Sequence, residues 1–285
     1  MKDALKLMRI PFSVYLMPVF WFAVSAVAEI NWLRAIAVFL IIHVLVYPAS
    51  NGYNSYFDKD EGSIGGLKHP PKVTVHLFRL VVLFDILAVL AATLVNIYFG
   101  ACILVYLLVS KAYSYDKIRL KKYPLLSTIV VILFQGAFTY IMVQVGLGLT
   151  WSEISNSYNL SLAGVSSLFL CGSYPITQIY QHQEDARRGD KTLSLLLGIR
   201  GTLVFAALSL LLASGILLFT YFQTDQFWRI VFFLTCTAPV VVFFTVWFIK
   251  VERNQAEANF ENTMRMNKTS SVCLSSAFLL MIFLS

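Results

Sequence analysis

The sequence predicts an all-α integral membrane protein whose nine helices cross the bilayer, forming one domain over residues 1–285. Three observations carry this reading. Hydrophobic residues make up 58% of the chain and charged ones only 13%, with a mean hydropathy of +0.73. Soluble domains average about 25% charged residues, so this chain cannot present a water-facing surface. The apolar residues fall into nine runs, each long enough to cross roughly 30 Å of hydrocarbon. The basic residues between those runs lie almost entirely on one side. With 14 glycines and 8 prolines, disordered and collagen-like chains are excluded as well.

The first run, 12–28, follows Lys2, Lys6 and Arg9 and lacks a small-residue cleavage site, so it reads as a retained transmembrane helix. The second, 33–50, contains His43, which reads as a hydrogen-bonded core residue. Runs 76–95 and 98–114 follow, with Asn96 at their junction. Asp85 inside the first of these is costly in lipid and must either line a polar cavity or pair with another helix. Run 124–147 carries Gln135 and Gln144 under the same constraint, and 160–180, 201–221, 228–249 and 270–285 complete the set. Pro18, Pro48, Pro175 and Pro239 mark kinks or ends. Cys102, Cys171, Cys236 and Cys273 all sit in apolar stretches without C-x-x-C spacing and read as small core residues.

Charged connections at 51–75, 115–123, 181–200 and 250–269 each follow an even-numbered helix. Placing the N-terminus in the cytoplasm puts twenty of the 22 Lys and Arg residues on that side, leaving Arg34 and Arg229 opposite. The net charge of +7 is therefore topological and needs no nucleic-acid partner. The expected location is a bacterial inner membrane or its equivalent, with lipid as the surrounding partner.

Two of these connections concentrate oxygen ligands. If the second helix continues into 51–75, Asn54 and Asp58 share a face, with Asn51 and Glu61 three residues from one or the other. In 181–200, Gln181 and Asp185 repeat the four-residue spacing. Either loop alone reads equally well as a solvated charged run. Two facing clusters, each extending a transmembrane helix, suit Mg²⁺, which uses one or two carboxylates together with substrate phosphates and retained water. Asn54, Asp58, Glu61, Gln181 and Asp185 are the expected metal ligands, and nearby lysines and arginines can hold the same phosphates.

These stretches resemble the UbiA superfamily of intramembrane prenyltransferases. Residues 54–58, from Asn54 to Asp58, are similar to its N-D-x-x-D motif. Gln181, Asp185, Gly189 and Thr192 fall on its D-x-x-x-D-x-x-x-G-x-x-T motif. Tyr113 and Ser114, followed by Arg119, Leu120 and Lys121, match its Y-S and R-L-K elements. The likeness covers essentially the whole chain. It departs at Ser55, Gly62 and Gln181, each of which stands where a carboxylate is usual; Asp60, Glu61, Glu184 and Asp190 lie close by.

The resemblance implies nine helices around a membrane-embedded cavity. It also implies Mg²⁺-dependent transfer of a prenyl group from a prenyl diphosphate to a lipophilic, aromatic acceptor. On that basis Asp58, Asp185, Tyr113 and Tyr180 are candidate catalytic residues, and Lys68, Lys72, Arg119, Lys121 and Lys191 candidate diphosphate holders. A departing diphosphate must be stabilised, and the allylic cation kept from water and met by aromatic faces. A terpene cyclase on the same scaffold is the alternative enzyme. A transporter would place its acids near the midplane, whereas here they gather at one face.

Overall fold

The structure, a computed structural model, describes residues 1–284. Among them no strand occurs, and nine helices are long and apolar enough to cross a membrane. They are α1 (Lys2–Ser25), α2 (Trp32–Asp58), α3 (Val75–Val95), α4 (Ile97–Ser114), α5 (Pro124–Leu147), α6 (Ser157–Arg188), α7 (Leu193–Gln223), α8 (Phe227–Arg253) and α9 (Phe260–Leu284). Every predicted run lies largely within one of them. The largest departures from the predicted ends all lie at one end of the bundle: α1 starts at Lys2 and α9 at Phe260, α2 runs on to Asp58 and α6 to Arg188, and α7 starts at Leu193.

Local chemistry explains the irregular helices. In α1, Arg9 adopts a left-handed backbone (φ 51°), and a 3-10 stretch over Ile10–Leu16 precedes the regular turns from Met17. In α2, Asn31 caps the first turn by accepting from the Arg34 amide at 3.1 Å. A π-helical widening over Ile41–Val46 directly precedes Pro48. The ring of Pro48 and its missing N–H disturb the preceding turn, and the wider turn lets the helix continue. That continuation carries the polar residues of 51–58 on a helix rather than a loop.

The second π-turn, Phe134–Phe138 in α5, centres on Gly136. A Cβ there would lie 2.5 Å from the Cα of Ser167 on α6, so only glycine permits this approach. Ser167 Oγ accepts from the Ala137 amide (2.9 Å) and donates to the Ile132 carbonyl (3.1 Å), satisfying backbone groups that the bulge frees. Pro175 lies near the end of the regular part of α6. A 3-10 turn over Ile179–Gln181 and a short helix over His182–Arg188 carry the chain on to Gly189 (φ 73°).

The helices pack in pairs, α3 on α4, α6 on α7 and α8 on α9, and α9 returns against α1. One end of the bundle is sealed. There Phe22 stacks on Phe278 (centroids 4.6 Å apart) and meets Tyr140 edge-on at 5.3 Å. Gln144 and Asn159 exchange two hydrogen bonds of 2.8 Å, and Tyr140 donates to Asn159 at 3.0 Å. The intramembrane polarity of Gln144 is thus satisfied internally. His43 is buried among Phe20, Phe39 and Tyr47, as a core residue. Asp85 pairs with Lys111 of α4 at 2.9 Å and does not border the central cavity, which decides between its two predicted roles. The four cysteines are free and partly buried within helices.

Candidate active site

A cavity of about 700 Å³ opens at the polar end of the bundle and runs down toward the sealed end. Its lower wall is apolar and rich in aromatic rings, including Phe134, Phe169, Phe233, Phe244 and Phe278. Its mouth is built from the polar extensions of α2 and α6 and from the connection after α4.

On α2, Asn51, Asn54 and Asp58 face the cavity, one turn apart from one another. Asn54 Oδ1 accepts from Ser114 Oγ at 2.6 Å, which ties α2 to the end of α4. Opposite, Tyr174, Tyr180, Gln181, Asp185 and Arg188 of α6 border the same space. The hydroxyls of Tyr113 and Tyr174 lie 2.6 Å apart, and Gln181 donates to the Ser63 carbonyl at 3.2 Å. Asp185 accepts from Thr192 Oγ1 at 3.4 Å. Thr192 also caps α7, so the same hydroxyl fixes the start of that helix.

The connection after α4 supplies the bases. A left-handed Arg119 (φ 44°) and the 3-10 turn Leu120–Lys122 bury Lys121 against the acids. Lys121 bonds Asp58 and lies 3.5 Å from Asp190. Arg119 grips Asp190 through Nε (3.0 Å) and Nη2 (2.9 Å), while its Nη1 donates to Asp116 at 3.0 Å. These bonds hold the Arg119 guanidinium above its usual pKa. Arg188 bridges Asp60 (2.6 Å) and Glu184 (3.4 Å).

Asp58, Asp60, Glu184, Asp185 and Asp190 therefore crowd around three paired bases. Burial, and then the charge of Asp58, pushes the Asp60 carboxyl up to about 6. Asp185 has no base within 4 Å among the described residues. Among those residues no three carboxylates, histidines or cysteines close into a metal cage. The donors are hard oxygens in carboxylate excess, and this suits a cation that completes its shell with water and phosphate.

The structure brings Asn54, Asp58, Tyr113, Lys121, Tyr180, Gln181 and Asp185 to one cavity, as the sequence predicted. It does not bring the other predicted residues there. The left-handed turn at Lys59 ends α2, so Glu61 leaves the shared face; its side chain is exposed, and its amide donates to Glu184 at 3.1 Å. Lys68 is exposed and held by Glu261 of α9, while Lys72 is also exposed and borders no part of the cavity. Lys191 is exposed past the Gly189 turn. Arg119 does not border the cavity and reaches its wall through Asp190 and, at 3.9 Å, Asp58. The sequence reading passed over Arg9, Ser50 and Arg188, all in the wall. In sequence Arg9 and Arg188 are basic residues of the positively charged side and read as topological charges. The signal for Arg188 was its four-residue spacing from Glu184; the folding of residues 9–16 across the mouth left none for Arg9.

The model of the UbiA prenyltransferase family matches residues 15–269. Solved structures with the same fold include a UbiA homologue from Aeropyrum pernix K1. It is 16% identical at a TM-score of 0.68, with 95% of this chain and 98% of that one covered. A UbiA homologue from Archaeoglobus fulgidus bound to DMAPP and Mg²⁺ is 15% identical at a TM-score of 0.64, covering 99% and 100%. A structure described for digeranylgeranylglyceryl phosphate synthase is 18% identical at a TM-score of 0.60, covering 99% and 96%. No curated protein matches by sequence.

Proposed function

The chain belongs to the UbiA prenyltransferase family, and from that premise we propose that it transfers a prenyl group from a prenyl diphosphate to a lipophilic, aromatic acceptor within the membrane, with Mg²⁺ as cofactor. One observation carries this reading: Asp58 and Asp185, on two facing helices, stand at the mouth of a cavity whose depth is apolar and aromatic. Homologues of this fold bind DMAPP or GPP together with Mg²⁺, which supports the same donor and cofactor here.

In this reading Asp58, Asp185, Asn54 and Gln181 would hold Mg²⁺, which would supply charge neutralisation for the departing diphosphate. Lys121 and Arg188 border the cavity and can turn from Asp58 and Asp60 toward phosphate oxygens. The prenyl chain lies along Phe134, Phe169 and Phe233, whose faces stabilise the cation and whose packing keeps water away. A carbon of the acceptor forms the new bond and loses a proton to the released diphosphate, which restores its aromaticity. Tyr113 and Tyr180 border the space beside the acids and orient the reacting groups. The polar end faces the cytoplasm in this proposal, on the strength of the twenty-to-two charge division.

The test is product analysis with purified protein, Mg²⁺ and prenyl diphosphates of several lengths, with and without aromatic acceptors. Acceptor-dependent diphosphate release is expected. Rapid formation of a cyclic hydrocarbon from the diphosphate alone would replace transfer by cyclisation, which a closed aromatic pocket also accommodates.

A further inference from the structure

Asp185 is carried by the last stretch of α6, the seven-residue helix His182–Arg188, none of whose residues is buried. A helix shorter than about 12 residues is marginal in water on its own, so the place of this one depends on what its side chains hold. Gln181, just before it, and Glu184 and Arg188 within it all bond to residues 60–63, in the loop after α2. His182 reaches the bundle instead. Its Nε2 lies 2.7 Å from Ser194 Oγ, near the start of α7, and it borders no part of the cavity.

Ser194 and Thr202 are fully buried. Eight residues of a straight helix span about 12 Å. Thr202 Oγ1 nevertheless lies 3.0 Å from Ser194 Oγ and 3.2 Å from the Ser194 carbonyl. The contact exists because α7 is broken at Gly198, whose backbone (φ 69°, ψ 173°) suits glycine alone. The proton of the Thr202 hydroxyl is committed to the carbonyls of Gly198 (2.7 Å) and Ser194. Ser194 Oγ therefore donates to Thr202 Oγ1 and is left to accept from His182 Nε2–H. The Ser194 amide adds a bond to Gln178 Oε1 at 3.4 Å, one turn before Gln181. A relay thus runs from the core of α7 through Thr202 and Ser194 to His182, and Asp185 stands one turn further along the same short helix.

We propose that His182 is a positioning residue for the metal site, anchoring the helix that carries Asp185 to the core of α7 through Ser194 and Thr202. The inference rests on the prenyl-transfer reading, in which Gln181 and Asp185 hold Mg²⁺. It assigns a task to a side chain that touches neither ion nor substrate, and to the break at Gly198 that brings Ser194 within its reach.

The experiment follows Mn²⁺ binding by electron paramagnetic resonance, on purified protein in detergent with inorganic diphosphate present. His182→Leu and Ser194→Ala should each weaken binding about fivefold or more, the worth of one buried hydrogen bond. His182→Gln, whose amide can donate in the same place, should stay within about twofold of the unaltered chain. The two losses should not add in the double variant, because both cut one relay. Ser194→Ala removes a single hydroxyl and carries the test even where His182→Leu fails to fold. Unchanged Mn²⁺ affinity in Ser194→Ala, additive losses in the double variant, or a loss in His182→Gln as large as in His182→Leu each overturn the proposal. Asp185→Asn keeps this apart from the reading beneath it: weakened binding there, with none in the His182 and Ser194 variants, overturns the positioning role alone, whereas unchanged binding in all of them overturns the metal assignment too.

Discussion

Arg119 holds Asp190 by two parallel hydrogen bonds of 3.0 and 2.9 Å, which clamp the connection after α4 to the segment that follows α6. Asp190 is 2% exposed. Both partners also touch the Asp58 cluster, Arg119 at 3.9 Å from Asp58 and Asp190 at 3.5 Å from Lys121. The clamp thus sets where Lys121 sits.

Asp190→Leu should destabilise the protein by about 3 kcal/mol, because it removes the bidentate partner of a largely buried guanidinium and leaves it only the exposed Asp116 and, at 3.9 Å, Asp58. Arg119→Met should do the same for the carboxylate. The double variant should be more stable than either single one, since no uncompensated charge remains. Thermal unfolding in detergent reads all three. Additive losses would show that the two residues do not act as a pair.

Asp58→Asn and Asp185→Asn should each lower turnover at least 100-fold, since both remove a hard anionic ligand while keeping the side-chain size. Their stabilities should separate. Asp58 balances Lys121, so its loss should lower the melting temperature, whereas Asp185 has no base to release and should leave it unchanged or higher. Activity near the starting level in both variants, or full activity in excess chelator, would falsify the metal assignment.

The fold was legible because lipid imposes simple rules: apolar length gave the nine helices, and the constrained polar residues Asp85 and Gln144 found internal partners as the cost of burial requires. The helix-borne part of the site was legible for the same reason, since Asn54 and Asp58, like Gln181 and Asp185, keep helical spacing. What escaped lay where the backbone turns. The left-handed residue Lys59 took Glu61 off the shared face, and Glu261, 193 residues away from Lys68, drew that lysine outward. No periodicity announces such turns or distant pairings. The path of residues 9–16 was hidden similarly, because a basic residue before an apolar run reads as a topological signal whether or not it turns inward.

The orientation of the polar end can be checked by single cysteines at Ser63 and Ser155 in a variant lacking the four native cysteines. Ser63 lies in the connection after α2, and Ser155 between α5 and α6, at opposite ends of the bundle. A membrane-impermeant thiol reagent added to intact cells should label position 155 and spare 63 until the cells are opened. The reverse pattern would invert the orientation, and labelling of both positions in intact cells would contradict the nine-span topology.

Asp85 is an acid inside an apolar run that could either line a polar cavity or pair with another helix, and it does the latter. It faces Lys111, whose ammonium also lies 4.9 Å from the centre of the Tyr53 ring, outside the cavity wall. Asp85→Asn should therefore leave kcat within about twofold, while the unpaired lysine lowers stability by about 2 kcal/mol, because a buried charge without its partner is poorly accommodated. Pairing it with Lys111→Met should recover most of that loss, with cation–π contact to Tyr53 the part that does not return. Turnover and unfolding measured on the same preparations separate the two effects. A large fall in kcat at unchanged stability would move Asp85 from the helix interface into the chemistry.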